Sequence, residues 1–305
     1  MTDAVQKLAE DLKAYGGDTA LFPDEPMSRH TSFRIGGPAG LYIVPKDREA
    51  LIRVLTAARE REVRTYILGN GSNVLFDDAG FDGAVVSLSG LDSINVEPDG
   101  DVTAGAGASL SAVCKTARDA SLSGLEFAYG IPGSVGGAVV MNAGAYGGEI
   151  KDVLLLSEYL DPGAMEIRSV PLKDHAYGYR DSVYRHTDRI VLSASFRLKP
   201  GRQEDIAAAM SDYASRRVSK QPLEFPSAGS VFKRPEGHFV GQMVEESGLK
   251  GFRIGGAEVS EKHAGFIVNR GGATCRDVLA LVEHIRETVR KNYGVELECE
   301  IIHVT

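Results

Sequence analysis

Residues 126–150 read Glu126-Phe127-Ala128-Tyr129-Gly130-Ile131-Pro132-Gly133-Ser134-Val135-Gly136-Gly137-Ala138-Val139-Val140-Met141-Asn142-Ala143-Gly144-Ala145-Tyr146-Gly147-Gly148-Glu149-Ile150. Seven glycines fall between Gly130 and Gly148. Glycine lets the backbone take positive φ, and the missing side chain lets a ligand approach successive N–H groups, which is how glycine-rich turns cradle diphosphates. Glycine and alanine also pack closely between buried elements. The stretch alone therefore admits two readings, a phosphate cradle and a tight structural turn.

A second such stretch, Gly69-Asn70-Gly71-Ser72-Asn73, directly follows the β-type run Tyr66-Ile67-Leu68. Upstream lie the β-type run Leu41-Tyr42-Ile43-Val44 and a helical segment to about Glu62. Asp47 is placed to cap that segment, and Leu51, Val54, Leu55 and Ala58 share one face. This order predicts a β-α-β unit ending in a loop of the kind at which open α/β sheets bind ligands. The spacing is not GxGxxG, so no nicotinamide-binding Rossmann crevice is supported.

Apolar spacing predicts a leading helix over 3–14 and another from Ser109, with Leu110, Val113, Cys114 and Ala117 inward. Cys114 reads as core, since free cysteine is among the most buried residue types. The runs 84–86, 101–104, 153–156 and 190–198, punctuated by turns such as Asp161-Pro162-Gly163, predict an antiparallel α+β region. After Lys199-Pro200-Gly201 the composition shifts. A polar helix over 203–217, a helix around 240–247, a strand at 265–268, a helix over 275–293 and a final strand from Val295 to Val304 are expected there. The expected domains are 1–80, 81–199 and 200–305.

Length and an apolar fraction of 43% bound the chain as globular, with a sizeable core for its 305 residues. A formal net charge of -8 argues against broad nucleic-acid binding but leaves room for a local pocket that takes a small anion. Three cysteines without CxxC spacing disfavour both a disulfide framework and a zinc site, and no metal is expected. The N-terminal residues lack a signal-peptide apolar core and no run approaches ~20 apolar residues. The expected setting is the cytoplasm, off the membrane, and no sequence signal sets an oligomeric state.

Three polar positions interrupt apolar context. Arg180, in Tyr177-Gly178-Tyr179-Arg180-Asp181-Ser182, suits bidentate recognition of carboxylate or phosphate. Ser230 stands between Gly229 and Val231-Phe232, and Glu300 lies within Glu298-Cys299-Glu300-Ile301. Taken singly, each also reads as ordinary: a surface ion pair, a turn hydroxyl, a solvent-facing strand residue. Ala228-Gly229-Ser230-Val231-Phe232 is not the GxSxG elbow of a serine hydrolase.

Taken in order, Gly69-Asn70-Gly71-Ser72-Asn73, Gly130-Ile131-Pro132-Gly133-Ser134-Val135-Gly136-Gly137, Asn142-Ala143-Gly144-Ala145-Tyr146-Gly147, Tyr179-Arg180-Asp181-Ser182, Ala228-Gly229-Ser230-Val231-Phe232-Lys233 and Leu297-Glu298-Cys299-Glu300 resemble the UDP-N-acetylenolpyruvoylglucosamine reductases from about His30 onward. The resemblance implies an α+β protein with FAD-binding domains of the vanillyl-alcohol-oxidase (PCMH) type and a C-terminal α+β domain for a UDP-sugar. It implies non-covalent FAD, with Ser72 and Asn73 where some distant relatives carry a flavin-linking histidine, and NADPH as co-substrate. The FAD contacts it implies are Gly69 to Asn73, Gly130, Pro132, Gly133, Ser134, Gly136, Gly137, Asn142, Ala143, Gly144 and Tyr146. Arg180 and Glu300 would stabilise the substrate carboxylate as charge builds on it, and Ser230 would protonate the α-carbon. Lys220 would meet the phosphates of the UDP-sugar or of NADPH, and Arg234 and Gln242 would contact substrate.

Three departures qualify the match. The short interval from Arg180 to Ile190 fits the compact second subclass without a tyrosine loop. Arg234 stands where the first subclass has asparagine, and Cys299 where a proline is expected. His263 reads as structural or as the edge of the substrate site. The rival enzyme reading is an oxygen-using flavin oxidase on the same fold.

Overall fold

In the computed structural model, which describes residues 2–17 and 19–305, side chains set most helix starts. Thr2 caps α1 (Asp3–Ala14), Asp47 caps α2 (Arg48–Glu60) by accepting from Ala50 N at 2.8 Å, and Ser109 caps α3 (Leu110–Asp119). A fourth helix, α4 (Val135–Met141), begins inside the glycine-rich stretch with Ser134 as its cap and ends at Asn142 in the left-handed conformation. It was expected as turn or cradle. It is helical because Val135, Ala138 and Val139 are buried while Gly136 lies against Ala106, where a Cβ would approach the alanine Cβ to 3.0 Å.

The later helices are α5 (Gln203–Lys220), α6 (Val240–Glu246) and α7 (Cys275–Tyr293). α7 starts with a capping box of Thr274 and Asp277 and stops at Gly294, whose φ of 70° only a residue without a Cβ adopts freely. No described helix is long and apolar enough to cross a membrane.

The chain forms two compact units that interleave in sequence. Unit 1 takes the chain up to Pro23, Leu41–Asn70 and Gly83–Arg217, and unit 2 takes Asp24–Gly40, Gly71–Asp82 and Val218–Thr305. Each has its own apolar core. That of unit 1 gathers residues such as Leu8, Leu51, Leu110 and Phe196, and that of unit 2 residues such as Phe33, Leu75, Val278 and Ile285.

Of the runs expected in the antiparallel region, 101–104, 153–156 and 190–198 fall in a five-stranded sheet in the order Glu166–Pro171, Leu154–Asp161, Ile190–Phe196, Val102–Gly105, Ile94–Val96, whereas 84–86 belongs to another sheet and pairs parallel to Thr65–Leu68. A four-stranded sheet runs Thr19–Pro26, Pro38–Pro45, Phe81–Ser87, Thr65–Leu68. Its last two strands are parallel, so the Gly69 loop leaves the C-terminal end of an edge strand.

The expected final strand is interrupted. Cys299 bridges antiparallel to Phe232, then Ile302–Val304 runs parallel to Val74–Phe76. The chain changes partner between the two, and one continuous ladder cannot serve both.

Candidate functional site

In unit 1 the two glycine segments meet. A Cβ on Gly69 would lie 2.5 Å from the Oγ of Ser134, and Gly133 accepts from Leu110 N at 3.0 Å. Ser134 is 3% exposed, and its hydroxyl accepts from Gly137 N at 3.3 Å. Pro132 and Gly137 are exposed and Gly136 is buried.

Gly130 faces a residue that the sequence reading passed over as the end of a polar helix. Its Cβ position lies 3.1 Å from the Cδ of Arg217. Burial pushes the Arg217 guanidinium below its ordinary range, and among the described residues no carboxylate pairs with it. A partly buried cation without an anion, beside a glycine that keeps the approach open, fits a phosphate-bearing ligand. Arg216-Arg217 carries no spacing signal that separates this arginine from an ordinary helix end; only the packing of α5 does.

Asn142 is fully buried at φ 43° and is committed to the protein. Its Nδ2 donates to Glu149 Oε2 and to the Gly178 carbonyl, both at 3.0 Å, and its Oδ1 accepts from Lys151 N at 3.1 Å. It thereby ties the glycine stretch to the turn that carries Arg180. Replacing Asn142 by alanine strands several buried polar groups at a left-handed position. A loss of about 2–4 kcal/mol in urea unfolding is expected. A change under ~0.5 kcal/mol would show that these bonds hold nothing.

The Arg180 turn closes through Gly178 N donating to the Asp181 carbonyl at 3.1 Å. Arg180 itself sits at φ 55°, a conformation that costs a residue with a Cβ about 1–2 kcal/mol. Its Nη2 donates to the Gly144 carbonyl at 3.4 Å, and its Cζ lies 5.0 Å from the Tyr179 ring centroid. Ser182, 1% exposed, donates to the Val140 carbonyl at 2.7 Å. Beneath the turn Ser157 binds His175 at 2.8 Å and Tyr184 at 2.6 Å. Ala143 accepts from Ile150 N at 3.0 Å, and exposed Tyr146 stacks on Tyr213 with centroids 4.7 Å apart.

In unit 2 the structure brings Ser230 and Glu300 onto neighbouring segments. Glu300 N donates to the Val231 carbonyl at 2.8 Å, Lys233 N donates to the Glu298 carbonyl at 2.9 Å, and Ser230 bridges Phe266 on its other side. The Ser230 side chain is exposed and Glu300 is half-buried. Asn73 Nδ2 donates to the Glu300 carbonyl at 3.1 Å, and Asn73's own carbonyl accepts from Ile302 N at 3.0 Å. Gly71, at φ +61°, has the His30 carbonyl where a Cβ would stand. Ser72 is half-buried in the same loop, whose first residues, Gly69 and Asn70, belong to unit 1.

Lys220 is exposed at the end of α5, and Gln242 donates to Glu246 at 2.7 Å. Arg234 holds the His238 carbonyl at 3.3 Å, with its Cζ 3.9 Å from the Phe239 centroid. His263 is anchored: its Nδ1 accepts from Gly265 N at 3.1 Å, and burial lowers its pKa. Cys114 donates to the Leu125 carbonyl at 3.2 Å, and burial pushes the thiol up to about 12, as a core residue requires.

Comparison with known proteins matches residues 39–168 to the FAD binding domain and residues 221–304 to the C-terminal domain of UDP-N-acetylenolpyruvoylglucosamine reductase. The UDP-N-acetylenolpyruvoylglucosamine reductase of Agathobacter rectalis is 47% identical over 97% of this chain and 96% of its own. That of Caldanaerobacter subterraneus subsp. tengcongensis is 48% identical over 97% and 96%. The crystal structure of the Thermus caldophilus enzyme superposes with a TM-score of 0.80 at 33% identity, covering 94% of this chain and 99% of that one.

Proposed function

Because this chain belongs to the UDP-N-acetylenolpyruvoylglucosamine reductase family, we propose that Arg180, Ser230 and Glu300 perform its chemistry while the glycine segments hold its flavin. The protein is an FAD-dependent oxidoreductase that reduces UDP-N-acetylglucosamine enolpyruvate to UDP-N-acetylmuramate with NADPH, in peptidoglycan precursor synthesis. Its FAD-binding part is of the vanillyl-alcohol-oxidase (PCMH) type, within an α+β chain. By function we assign 1–80 and 81–199 to FAD binding and 200–305 to the UDP-sugar. The cytoplasm is the assigned compartment.

The residues fit FAD. Backbone N–H groups of Gly69 to Asn73 and of Gly130, Gly133 and Ser134 would bind its diphosphate, with Arg217 supplying the charge, while Gly136 and Gly137, whose own N–H groups donate to the Ala106 carbonyl and to Ser134, would keep the start of α4 free of side chains beside it. Asn142 and Ala143 would act by shaping the segment that presents Gly144 and Tyr146. Bound FAD supplies hydride, taken from NADPH, to the enolpyruvyl β-carbon. The rest of the work falls to the protein. As negative charge develops on the α-carbon and its carboxylate, Arg180 stabilises it by a charged hydrogen bond and Glu300 supports that interaction. Ser230 then gives its proton to the α-carbon. A serine hydroxyl is a weak acid, and the strongly basic carbon it meets is what makes the transfer downhill. Lys220, Arg234 and Gln242 bind the UDP-sugar.

The backbone bond from Glu300 N to the Val231 carbonyl carries this reading, because it fixes the carboxylate and the proton donor on adjacent segments. The test is the purified protein itself. It is expected to be yellow with about one FAD per chain, released on acid precipitation, since the loops offer backbone contacts and no covalent ligand. A colourless holoprotein or flavin retained in the precipitate contradicts it. For Arg217→Gln, losing a charge-assisted contact worth about 1.5–3 kcal/mol lowers FAD affinity roughly 10–100-fold. Recovery of flavin fluorescence on dilution reads this, and an unchanged affinity removes Arg217 from the cofactor site.

A further inference from the structure

Away from the residues assigned above, unit 2 gathers three side chains of different chemistry. They come from the loop after Val74–Phe76, the first residue of α7, and the terminal strand. Asp77, Cys275 and His303 each offer one ligand atom, and these atoms all lie within 4.8 Å of one another. His303 Nε2 is 3.4 Å from Cys275 Sγ and 3.5 Å from Asp77 Oδ2. Backbone pairing fixes the positions: His303 stands opposite Leu75 in the parallel ladder, and Asp77 N donates to the Val304 carbonyl at 2.9 Å. Ala79 N occupies the other oxygen of Asp77, Oδ1, at 2.9 Å, which leaves Oδ2 turned to the cluster.

Three arrangements of Cys, His and Asp are chemically distinct. In a nucleophilic triad the thiol and the carboxylate use opposite nitrogens of the imidazole. Here both approach Nε2. In a hydrogen-bonded ion pair the nitrogen and carboxylate oxygen would be about 2.7–2.9 Å apart, and 3.5 Å is beyond that. In a tetrahedral metal site the ligands do not bond each other. With metal–sulfur near 2.3 Å and metal–nitrogen or metal–oxygen near 2.0–2.2 Å, neighbouring ligand atoms stand about 3.3–3.6 Å apart. For a sulfur–nitrogen pair the spacing is about 3.5–3.6 Å and for a nitrogen–oxygen pair about 3.3–3.5 Å, and the 3.4 Å and 3.5 Å here lie within about 0.1 Å of these ranges.

We propose that Asp77, Cys275 and His303 form a binding site for a zinc-class divalent cation, with water as the fourth ligand. A thiolate, an imidazole and one carboxylate are the donor mix that borderline-soft ions such as Zn²⁺ and Co²⁺ take, and not the all-oxygen shell of Mg²⁺ or Ca²⁺. The Asp77 and His303 side chains keep 36% and 33% of their surface, so an ion and its water can enter from solvent. On binding, the Cys275 thiol gives its proton to solvent while the imidazole and carboxylate donate lone pairs. The ion joins the start of α7 to the strand that begins two residues after Glu300. It acts as a clip on that strand and takes no part in the flavin reaction.

The test is titration of the reduced, FAD-loaded full chain with Co²⁺, read at wavelengths longer than flavin absorbs. Expected are the intense bands of four-coordinate Co²⁺ at one ion per chain, displaced by Zn²⁺, with a higher melting temperature in the presence of Zn²⁺. Cys275→Ala, which keeps a good helix-former at the start of α7, abolishes the bands. Exposed His303→Gln weakens Zn²⁺ affinity by more than ~100-fold in chelator competition, while Cys299→Ala leaves binding unchanged. No bands in the wild-type protein, or only weak bands that persist in Cys275→Ala and His303→Gln, overturn the proposal.

Discussion

Ser230→Ala leaves reduction of the bound flavin by NADPH near its normal rate and slows reoxidation by the enolpyruvyl substrate by ~10²–10⁴-fold, the cost of losing one positioned proton donor. Only the second half-reaction needs a proton at the α-carbon, so stopped-flow traces of the two halves separate the effect. The substitution is mild for the fold: the side chain is exposed, and the bridge of Ser230 to Phe266 uses backbone. Equal losses in both halves would remove Ser230 from the donor role.

Glu300→Gln is expected to cost ~10²–10³-fold in the same half-reaction, the range for losing one electrostatic stabiliser. FAD content and melting temperature stay close to wild type, because glutamine keeps the size and hydrogen-bonding capacity of the side chain and the backbone bonds of Glu300 remain in place. Its N–H binds Val231 and its carbonyl accepts from Asn73, and neither bond involves the carboxyl that the substitution changes. Substrate affinity changes far less than turnover, since the interaction strengthens as charge develops. A lowered melting temperature with normal turnover in the folded fraction would reduce Glu300 to a support of the terminal segment.

Most core helices were legible because a polar residue precedes an apolar stripe, as with Asp47 before Leu51, Val54 and Leu55, or Ser109 before Leu110, Val113 and Cys114. Where one face of an element is not buried, the pattern vanishes. Glu166–Pro171 buries only Val170, and Thr19–Pro26 carries two prolines, so neither strand announces itself. α4 was hidden for the opposite reason. Its glycines disfavour a helix locally, and burial against Ala106 and the Ser134 cap override them.

The same division runs through the site. Ser230 and Glu300 are named by their sequence context, and the structure adds the backbone bond that joins their segments. Arg217 and the bonds of Asn142 were not legible. Each depends on which distant segment packs beside it, and no local spacing encodes that.

Anaerobic titration of the NADPH-reduced protein with UDP-N-acetylglucosamine enolpyruvate tests the central claim most directly. Visible flavin absorbance is expected to return in proportion to added substrate, without oxygen, and the product to be UDP-N-acetylmuramate, two hydrogens heavier than the substrate. A flavin that stays bleached until oxygen is admitted, with the substrate recovered unchanged, would contradict it and favour an oxidase.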